Sequence, residues 1–384
     1  MLLLLLAGAG ALYILQGFLY RKYWSRGLGI DIRFDARSAY EGDTAYLAEE
    51  ITNDKLLFLP ALEVNLAVNR ALKFSKEAKE NANVSDQSYR RDIFSLFAHQ
   101  KVVRKLPFVC GRRGFYEIKK ADVIGYDFFF RKSFHDNRNF QTSLYVYPKL
   151  VDSRRLSVLC RAVSGMTVTR SRLFYDPFCF SGIRDYSPSD PMNQINWKAS
   201  AKGQGLLVNQ FDSTTNIQVK LILDTEDTGM IRRDKQNEEG IRIAASLALR
   251  LAGRGMDVTV AGNGIKRIHI KNGAGQMQKL YEELARIDIY RKTERLCSLL
   301  EEEEKNLLHE AVYVIISMNQ DKETIGAIAS LAEKASPILW VMPVSASQEE
   351  TLPEGSFARD SSAASGRGRR MLQGVDIYKW ELEG

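Results

Sequence analysis

The alternation of hydrophobic and polar residues changes its period partway along the chain. Between residue 28 and about residue 150, apolar residues recur at every second position in short segments such as GIDIRFDA, LEVNLAV and TSLYVYPKL. This period is typical of β-strands that bury one face, and Gly, Asp, Asn and Pro separate the segments. We predict an antiparallel β-sandwich of the immunoglobulin type over residues 28–150. The polar stretch from Lys76 to Arg91 breaks the alternation and predicts a long loop or a short helix.

Residues 213–384 show the pattern of a Rossmann-like α/β domain. Continuous apolar runs such as AVYVIIS and PILWVM predict strands that are buried on both faces. Apolar residues at helical spacing predict helices between these strands, for example over residues 238–252. Such alternation favours a mostly parallel sheet covered on both sides. The acidic run 301–304 is typical of a solvated helix face, and the polar stretch 345–374 predicts a mobile loop.

The N-terminal residues predict a membrane anchor. Residues 1–20 contain no charged side chain, and at about 1.5 Å per residue a helix of this length just crosses a hydrocarbon core of roughly 30 Å. Arg21, Lys22 and Arg26 follow directly, which predicts a single-pass protein of the cell membrane with its folded domains in the cytoplasm. A cleaved signal peptide is the alternative, but such peptides carry their positive charge before the apolar run. The predicted fold class is therefore multidomain α+β with an N-terminal transmembrane helix.

Composition narrows the classes of partner and site. The chain has 54 Lys and Arg against 47 Asp and Glu, a net charge of +7 that suits an anionic membrane surface. The basic residues are spread along the chain rather than gathered into a stripe, so we do not expect nucleic-acid binding. Four cysteines and four histidines are equally scattered, which argues against zinc ribbons, redox dithiols and histidine-rich metal sites. Neither the sequence nor its composition predicts an oligomeric state.

Residues 151–212 form a predicted linking segment whose second half is dense in polar and aromatic residues. It runs FSGIRDYSPSDPMNQINWKASAKGQGLLVNQFD and fits neither a strand alternation nor a long amphipathic helix. Asp190, Asn196 and Lys198 suggest a hydrolytic site, but no partner base is identifiable, and an Asp beside Arg or Lys is more often an ion pair. We predict that Trp197 is an apolar plug between two domains, with Asn196 and Ser200 satisfying backbone groups around it.

The order of these parts, with the motif FxGIRxYxPxDxxxxINWKASAK, resembles the domain-of-unknown-function family 58. In two places the chain departs from the family pattern. Tyr126-Asp127-Phe128-Phe129 replaces an Asp-Pro-Phe-Gly turn, and Ser189 stands where the family often has Gly. The residues that carry the resemblance are Gly182, Arg184, Asp185, Tyr186, Pro188, Asp190, Asn196, Trp197, Lys198 and Ser200.

The resemblance implies that residues 213–384 are similar to a von Willebrand factor A domain. Such domains can hold Mg²⁺ or Ca²⁺ through an Asp-x-Ser-x-Ser loop after the first strand. Here Asp224 and Thr228 fit that loop, but Glu226 occupies a serine position, and the loop beginning at Ser317 lacks the expected Asp. We therefore expect no cofactor and no bound metal ion, with Asp224, Glu226 and Thr228 as degenerate candidate ligands. In this interpretation Asp224 caps the strand end and hydrogen-bonds loop amides. The alternative is that the carboxylates of Asp224, Glu226 and Asp227 attract Mg²⁺ or Ca²⁺.

The resemblance also implies a partnership with a MoxR-type AAA+ ATPase. The chain itself has neither a phosphate loop nor a dinucleotide fingerprint. The leading hypothesis is a non-catalytic, membrane-anchored interaction protein. The alternative from another class is a metal-dependent hydrolase or transglutaminase-associated enzyme that uses the acidic loop at Asp224. A third hypothesis is an extracytoplasmic adhesion-like module, which requires the N-terminus to be a signal peptide.

Overall fold

The chain folds into two compact units, Met1–Lys149 and Leu150–Gly384. The computed structural model describes residues 2–74, 87–173, 180–188, 190–203, 205–211, 218–229, 232–271, 274–307, 311–335, 337–345, 371–372 and 374–382. The boundary between the units lies beside the predicted end of the β-sandwich.

The first unit is a β-sandwich preceded by a helix, as the alternating pattern predicts. Helix α1 spans Leu2–Tyr23. One sheet has the order β1-β3-β7-β5 and the other β2-β9-β8-β4-β6. Every second residue of the central strands faces the core, where Leu47, Leu62 and Leu144 are fully buried. The strands are β1 (Leu28–Phe34), β2 (Ser38–Tyr40), β3 (Thr44–Asn53), β4 (Leu59–Asn69), β5 (Leu72–Phe74), β6 (Gln87–Leu96), β7 (Gln100–Cys110), β8 (Gly114–Tyr126) and β9 (Ser133–Tyr147).

The last turns of α1 are part of the sandwich core. The Tyr20 hydroxyl donates to the backbone carbonyl of Phe58 at 2.6 Å. Trp24, just beyond the helix, is 7% exposed and packs so closely on Gly125 that a Cβ atom there would overlap the indole ring. Across the described part of the chain, no helix has the length and apolar character needed to cross a membrane. The transmembrane helix predicted over residues 1–20 is thus without support from the structure.

Strand β6 corrects the prediction for the polar stretch from Lys76 to Arg91. Residues 75–86 lie outside the described residues, but the stretch from Gln87 onward is strand, not loop or helix. Its charged residues form ion pairs with the neighbouring strand β4 and within β6 itself. Arg91 donates to Glu63 at 2.6 Å, and Arg90 donates to Asp92 at 2.6 Å. Charged residues that break the hydrophobic alternation can therefore lie in a strand, because ion pairs satisfy their charges.

The second unit is built on a seven-stranded sheet of order β14-β13-β12-β15-β16-β18-β17. Its five central strands are parallel, as the alternation of strands and helices predicts, while β14 and β17 are antiparallel edges. The strands are β12 (Gln218–Leu223), β13 (Asp257–Gly262), β14 (Ile265–Ile270), β15 (Val312–Ile316), β16 (Ile338–Val344), β17 (Met371–Leu372) and β18 (Val375–Glu381). The helices of this sheet are α4 (Asp234–Ala252), α5 (Ala274–Arg286), α6 (Leu296–Lys305) and α7 (Lys322–Ala335).

The predicted linking segment contains regular structure of its own. Helix α2 spans Ser153–Leu173, and its buried residues recur at i, i+3, i+4 and i+7. A two-stranded sheet follows, formed by β10 (Phe180–Asp185) and β11 (Leu207–Phe211). Between them lie a 3₁₀ turn (Met192–Gln194) and the one-turn helix α3 (Trp197–Ser200). Of the predicted mobile loop 345–374, residues 346–370 and 373 are outside the described residues, and Met371–Leu372 forms β17.

Helix α6 does not present its whole acidic run to solvent, contrary to the sequence prediction. Glu303 is 1% exposed and accepts a hydrogen bond from Lys220 at 2.6 Å. Arg267 also pairs with the Glu303 carboxylate. Lys220 lies on the buried central strand β12, so its ammonium group needs a buried partner, and Glu303 supplies it.

We expect Glu303→Ala to lower the free energy of unfolding by about 3 to 5 kcal/mol, because it leaves the Lys220 ammonium buried and without its partner. Chemical denaturation measures this loss. The matched control is Glu301→Ala in the same helix, where an exposed carboxylate should change stability by no more than about 0.5 kcal/mol. Equal effects of the two variants would contradict the pairing.

Candidate functional site

The signature residues lie on a hairpin whose strands are joined by a compact polar connection. Strands β10 and β11 pair antiparallel, with Ile183 opposite Asn209 and Arg184 opposite Val208. Ile195, between the 3₁₀ turn and α3, forms a further bridge with Val208. Ile195 and Val208 are buried at 5% and 0% exposure, so they form the small apolar centre of the hairpin.

A bidentate ion pair closes the first half of the connection. The two guanidinium nitrogens Nη1 and Nη2 of Arg184 donate to Oδ2 and Oδ1 of Asp190, both at 2.7 Å. The backbone amide of Ser187 also donates to Asp190, at 2.9 Å. The bond from Arg184, followed by that from the Ser187 amide, lowers the pKa of Asp190 to about 2. The prediction that Asp190 belongs to an ion pair is confirmed, and a carboxylate in this state is a poor general base at neutral pH.

Asn196 and Ser200 organise the second half, as the sequence predicts. Asn196 Oδ1 accepts from the Ala199 amide at 2.9 Å and so caps α3, while its Nδ2 donates to Asn209 Oδ1 at 2.7 Å. Ser200 Oγ donates to the Asn196 carbonyl at 2.8 Å and accepts from the Leu207 amide at 2.8 Å. These bonds hold α3 against β11 without an extended apolar core.

The prediction that Trp197 is an apolar plug is wrong. Its side chain is 65% exposed, because α3 is a single turn that projects its first residue into solvent. Met192 is 72% exposed, Ile183 46% and Leu206 44%. These four residues, Ile183, Met192, Trp197 and Leu206, are the apolar surface of the hairpin. Of the other signature residues, Asp185, Pro188 and Lys198 are exposed, while Gly182 and Tyr186 are half-buried.

The acidic loop predicted as a degenerate metal site follows β12. Asp224 is 4% exposed, and each of its two carboxylate oxygens accepts two hydrogen bonds. Oδ1 accepts from the Glu226 amide at 2.9 Å and from Asn263 Nδ2 at 2.6 Å. Oδ2 accepts from Ser317 Oγ at 2.6 Å and from Asn319 Nδ2 at 2.9 Å. Burial raises the pKa of Asp224, and these hydrogen bonds oppose that shift. The bond to the Glu226 amide is the loop contact that the sequence interpretation expects.

A guanidinium group supplies the positive charge beside this loop. Arg233 donates to Asn319 Oδ1 at 2.6 Å and to Asp227 Oδ1 at 3.0 Å. Thr228 donates its hydroxyl to the same Asn319 oxygen at 2.9 Å. Burial alone would raise the pKa of Asp227. Hydrogen bonds from the backbone amides of Arg233 and Gly229 and from the Arg233 guanidinium outweigh this effect and lower the pKa. The sequence interpretation did not identify the roles of Asn263, Asn319 and Arg233, because their partners are distant in sequence.

The residues of this loop do not fit a divalent cation. A Mg²⁺ or Ca²⁺ ion needs several oxygen lone pairs directed at one point. Asp224 already accepts four hydrogen bonds, and Thr228 directs its proton toward Asn319. Glu226 points elsewhere, since its Oε2 accepts from the Leu296 amide at 3.2 Å. No group of three or more His, Cys, Asp or Glu side chains within the described ranges is arranged to hold a metal ion.

Comparison with known proteins places the hairpin within a family. Residues 182–369 match the model of the family described as Protein of unknown function DUF58. The chain carries a DUF58 region. The resemblance drawn from the signature residues is confirmed there, and the match extends from the hairpin through most of the α/β sheet. No curated protein matches the chain.

Solved structures resemble about a third of the chain. The CARDB domain of the PF1109 protein from Pyrococcus furiosus is 12% identical, with 30% of this chain and 86% of that chain covered and a TM-score of 0.20. The cohesin module of a family 33 glycoside hydrolase from Clostridium perfringens is 10% identical, with 31% and 96% covered and a TM-score of 0.20. Nothing about the function of this chain follows from likenesses at these TM-scores.

We expect Asp224→Ala to leave the metal content of the purified protein unchanged and to destabilise it. Each buried donor that loses its acceptor costs about 1 to 3 kcal/mol. Elemental analysis after dialysis and thermal denaturation with millimolar Mg²⁺ or with a chelator measure the two effects. Glu301→Ala is the surface control. Metal bound by the wild type and lost in Asp224→Ala would contradict this assignment.

Proposed function

We propose that this protein is a non-catalytic interaction protein that docks a partner on the apolar surface of the DUF58 hairpin. The observation that carries this proposal is the 65% exposure of Trp197 on a connection held by the Arg184–Asp190 ion pair and the Asn196 cap. Exposed tryptophan and methionine side chains are enriched at protein interfaces, and tryptophan is the commonest energetic hot spot. The polar network supports docking because a surface that is already rigid loses little conformational entropy on binding.

The partner that we propose is a MoxR-type AAA+ ATPase. The family resemblance of the sequence suggests this class, and the sequence has no phosphate-binding loop of its own. In this proposal the ATPase hydrolyses the nucleotide, and this chain provides a binding surface. The chemistry of the hairpin supports recognition rather than catalysis, because its ion-paired Asp190 is held as a carboxylate and the segment from residue 180 to residue 212 contains no His or Cys.

We further propose that the parallel sheet of the second unit is similar to a von Willebrand factor A domain that works without a metal ion. Asp224 lies at the carboxyl end of β12, the edge where ligands of parallel sheets bind. The side chains of Asn263, Ser317 and Asn319 donate to it, and the Arg233 guanidinium supplies positive charge nearby. This loop therefore acts as a structural support of the sheet edge.

Membrane attachment through α1 completes the proposal. Leu12, Ile14, Leu15 and Phe18 are exposed at 68%, 72%, 53% and 60%. Such a continuous apolar surface on a helix is typical of contact with lipid. Arg21 and Lys22 occupy the last turn of α1, and this positive charge supports attachment to the cytoplasmic face of the cell membrane.

We expect Trp197→Ala to weaken binding of a purified MoxR-type ATPase at least about tenfold, since truncation of a hot-spot tryptophan costs about 2 kcal/mol or more. The detergent-solubilised full chain first captures the ATPase from cells that express both, with identification by mass spectrometry. Surface plasmon resonance then compares the wild type with the variant.

The melting temperature of Trp197→Ala should equal that of the wild type, because an exposed side chain contributes little to stability. Tyr89→Ala removes an aromatic residue of β6 that is 53% exposed, and this control should bind the ATPase normally. Recovery of no AAA+ ATPase would contradict the proposed partner. Equal binding by wild type and Trp197→Ala would contradict the proposed docking surface.

A further inference from the structure

A chain of aromatic contacts lies at one end of the β-sandwich, beside α1. Ring centroids of Tyr13 and Phe129 are 5.8 Å apart, and those of Phe129 and Phe128 are 5.4 Å apart. Phe58 continues the chain, at 6.4 Å from Phe128 and 5.0 Å from Phe97. The contacts join four parts of the first unit that are distant in sequence: α1, the β3–β4 connection at Phe58, the β6–β7 connection at Phe97 and the β8–β9 loop.

These rings are exposed to a degree that is unusual for aromatic side chains. Phe97 is 66% exposed, Phe128 and Phe129 are each 54% exposed, and Phe130 is 60% exposed. Leu56, which lies near Phe58 in sequence, is 82% exposed. Contiguous exposed apolar surfaces of this kind mark sites of contact with protein or membrane. We name the surface formed by Leu56, Phe97, Phe128, Phe129 and Phe130 the aromatic face.

The β8–β9 loop that carries three of these residues is held in a defined shape. Asp127 is fully buried, and its Oδ1 accepts from the amides of Arg131 at 2.7 Å and Lys132 at 3.1 Å. Its Oδ2 accepts from Gln16 of α1 at 3.3 Å, and its carbonyl accepts from the Phe130 amide at 3.0 Å. The loop is thereby closed on itself and tied to the helix.

Phe130 has a backbone conformation that favours glycine. Its φ is 57°, in the left-handed region, which is unfavourable for a residue with a side chain. Glycine would relieve this cost, yet the position carries a large ring that is mostly exposed. An unfavourable backbone conformation kept at an exposed apolar ring supports a role for that ring in a contact outside the fold.

The surroundings of the aromatic face match a lipid surface. The exposed apolar residues of α1 continue from it, since Tyr13 of the helix contacts Phe129. Positive charges border it: Arg131 and Lys132 follow Phe130 directly and are exposed. Arg26, which is exposed, lines a groove of about 310 Å³ together with Leu19 and Leu56 of the aromatic face. Apolar rings surrounded by basic side chains are the arrangement that inserts into the head-group region of an anionic bilayer.

We propose that the aromatic face is a membrane-contact surface that inserts among the lipids of an anionic leaflet next to α1. It goes beyond anchoring by the helix, because it fixes the β-sandwich against the bilayer and so orients the whole first unit. The proposal rests on the membrane attachment of α1, and vesicle flotation together with site-specific labelling separates failure of one from failure of the other.

Fluorescence labelling of the full chain in lipid vesicles tests the face. A nitrobenzoxadiazole label is attached to Phe129→Cys, with Cys179 and Cys297 replaced by serine, since Cys110 and Cys160 are buried. A second label site is Phe97→Cys. The control is Tyr89→Cys, which lies on β6 opposite Ala67 of β4, at the far end from Leu96. Vesicles contain phosphatidylcholine with or without phosphatidylglycerol.

We expect the labels at residues 129 and 97 to shift their emission to shorter wavelength and to be quenched by nitroxide lipids, with the label at residue 89 unaffected. The shift should be larger with phosphatidylglycerol and should lose this dependence in Arg131→Gln/Lys132→Gln. If the protein floats with the vesicles but the labels at residues 129 and 97 respond like the label at residue 89, the proposal for the aromatic face is wrong. Membrane attachment through α1 is then still supported. If the protein does not float, membrane attachment itself is wrong. A shift without lipid would assign the face to self-association and overturn the proposal.

Discussion

Carboxylates that accept several hydrogen bonds at once determine the shape of the functional loops of this protein. Asp127 closes the loop of the aromatic face, Asp190 closes the signature connection, and Asp224 joins the loops at the carboxyl edge of the sheet. A carboxylate removed from water is costly unless protein donors replace its hydration, so each of these side chains imposes a particular geometry on its surroundings. Glu303 applies the same constraint inside the second unit, where it neutralises Lys220.

The consequence is that rigid polar frameworks present exposed apolar side chains. Trp197 lies on a connection held by Asp190 and Asn196, and Phe129 lies on a loop held by Asp127. Both frameworks hold apolar rings where solvent would otherwise be expected. This combination suits binding, because an ordered loop pays its entropic cost during folding rather than at the moment of contact. The hairpin and the aromatic face are the two surfaces for which we propose binding, one in each unit.

Long hydrophobic patterns were the most reliable guide to the fold. The alternating segments and the buried runs around Val314 and Trp340 correspond to strands of the observed sheets. Helix α2 was missed although Leu156, Leu159 and Val163 have helical spacing, because the polar signature after it dominated the interpretation of the segment. Burial of Glu303 was also missed, since its partner Lys220 lies on a strand remote in sequence and no local pattern encodes that distance.

By itself, the sequence determined the alternation of elements, the basic flank of the N-terminal helix and the signature that identifies a DUF58 region. These properties are local, because periodicity and motif order are written in consecutive residues. Only the tertiary structure decided which side chains are exposed and which hydrogen-bond partners the polar side chains have. It placed Trp197 in solvent rather than in a core, surrounded Asp224 with amide and hydroxyl donors rather than ion ligands, and joined Tyr13 to Phe129. The reason is physical: exposure and hydrogen-bond saturation depend on atoms supplied by distant segments, which meet only when the chain has folded.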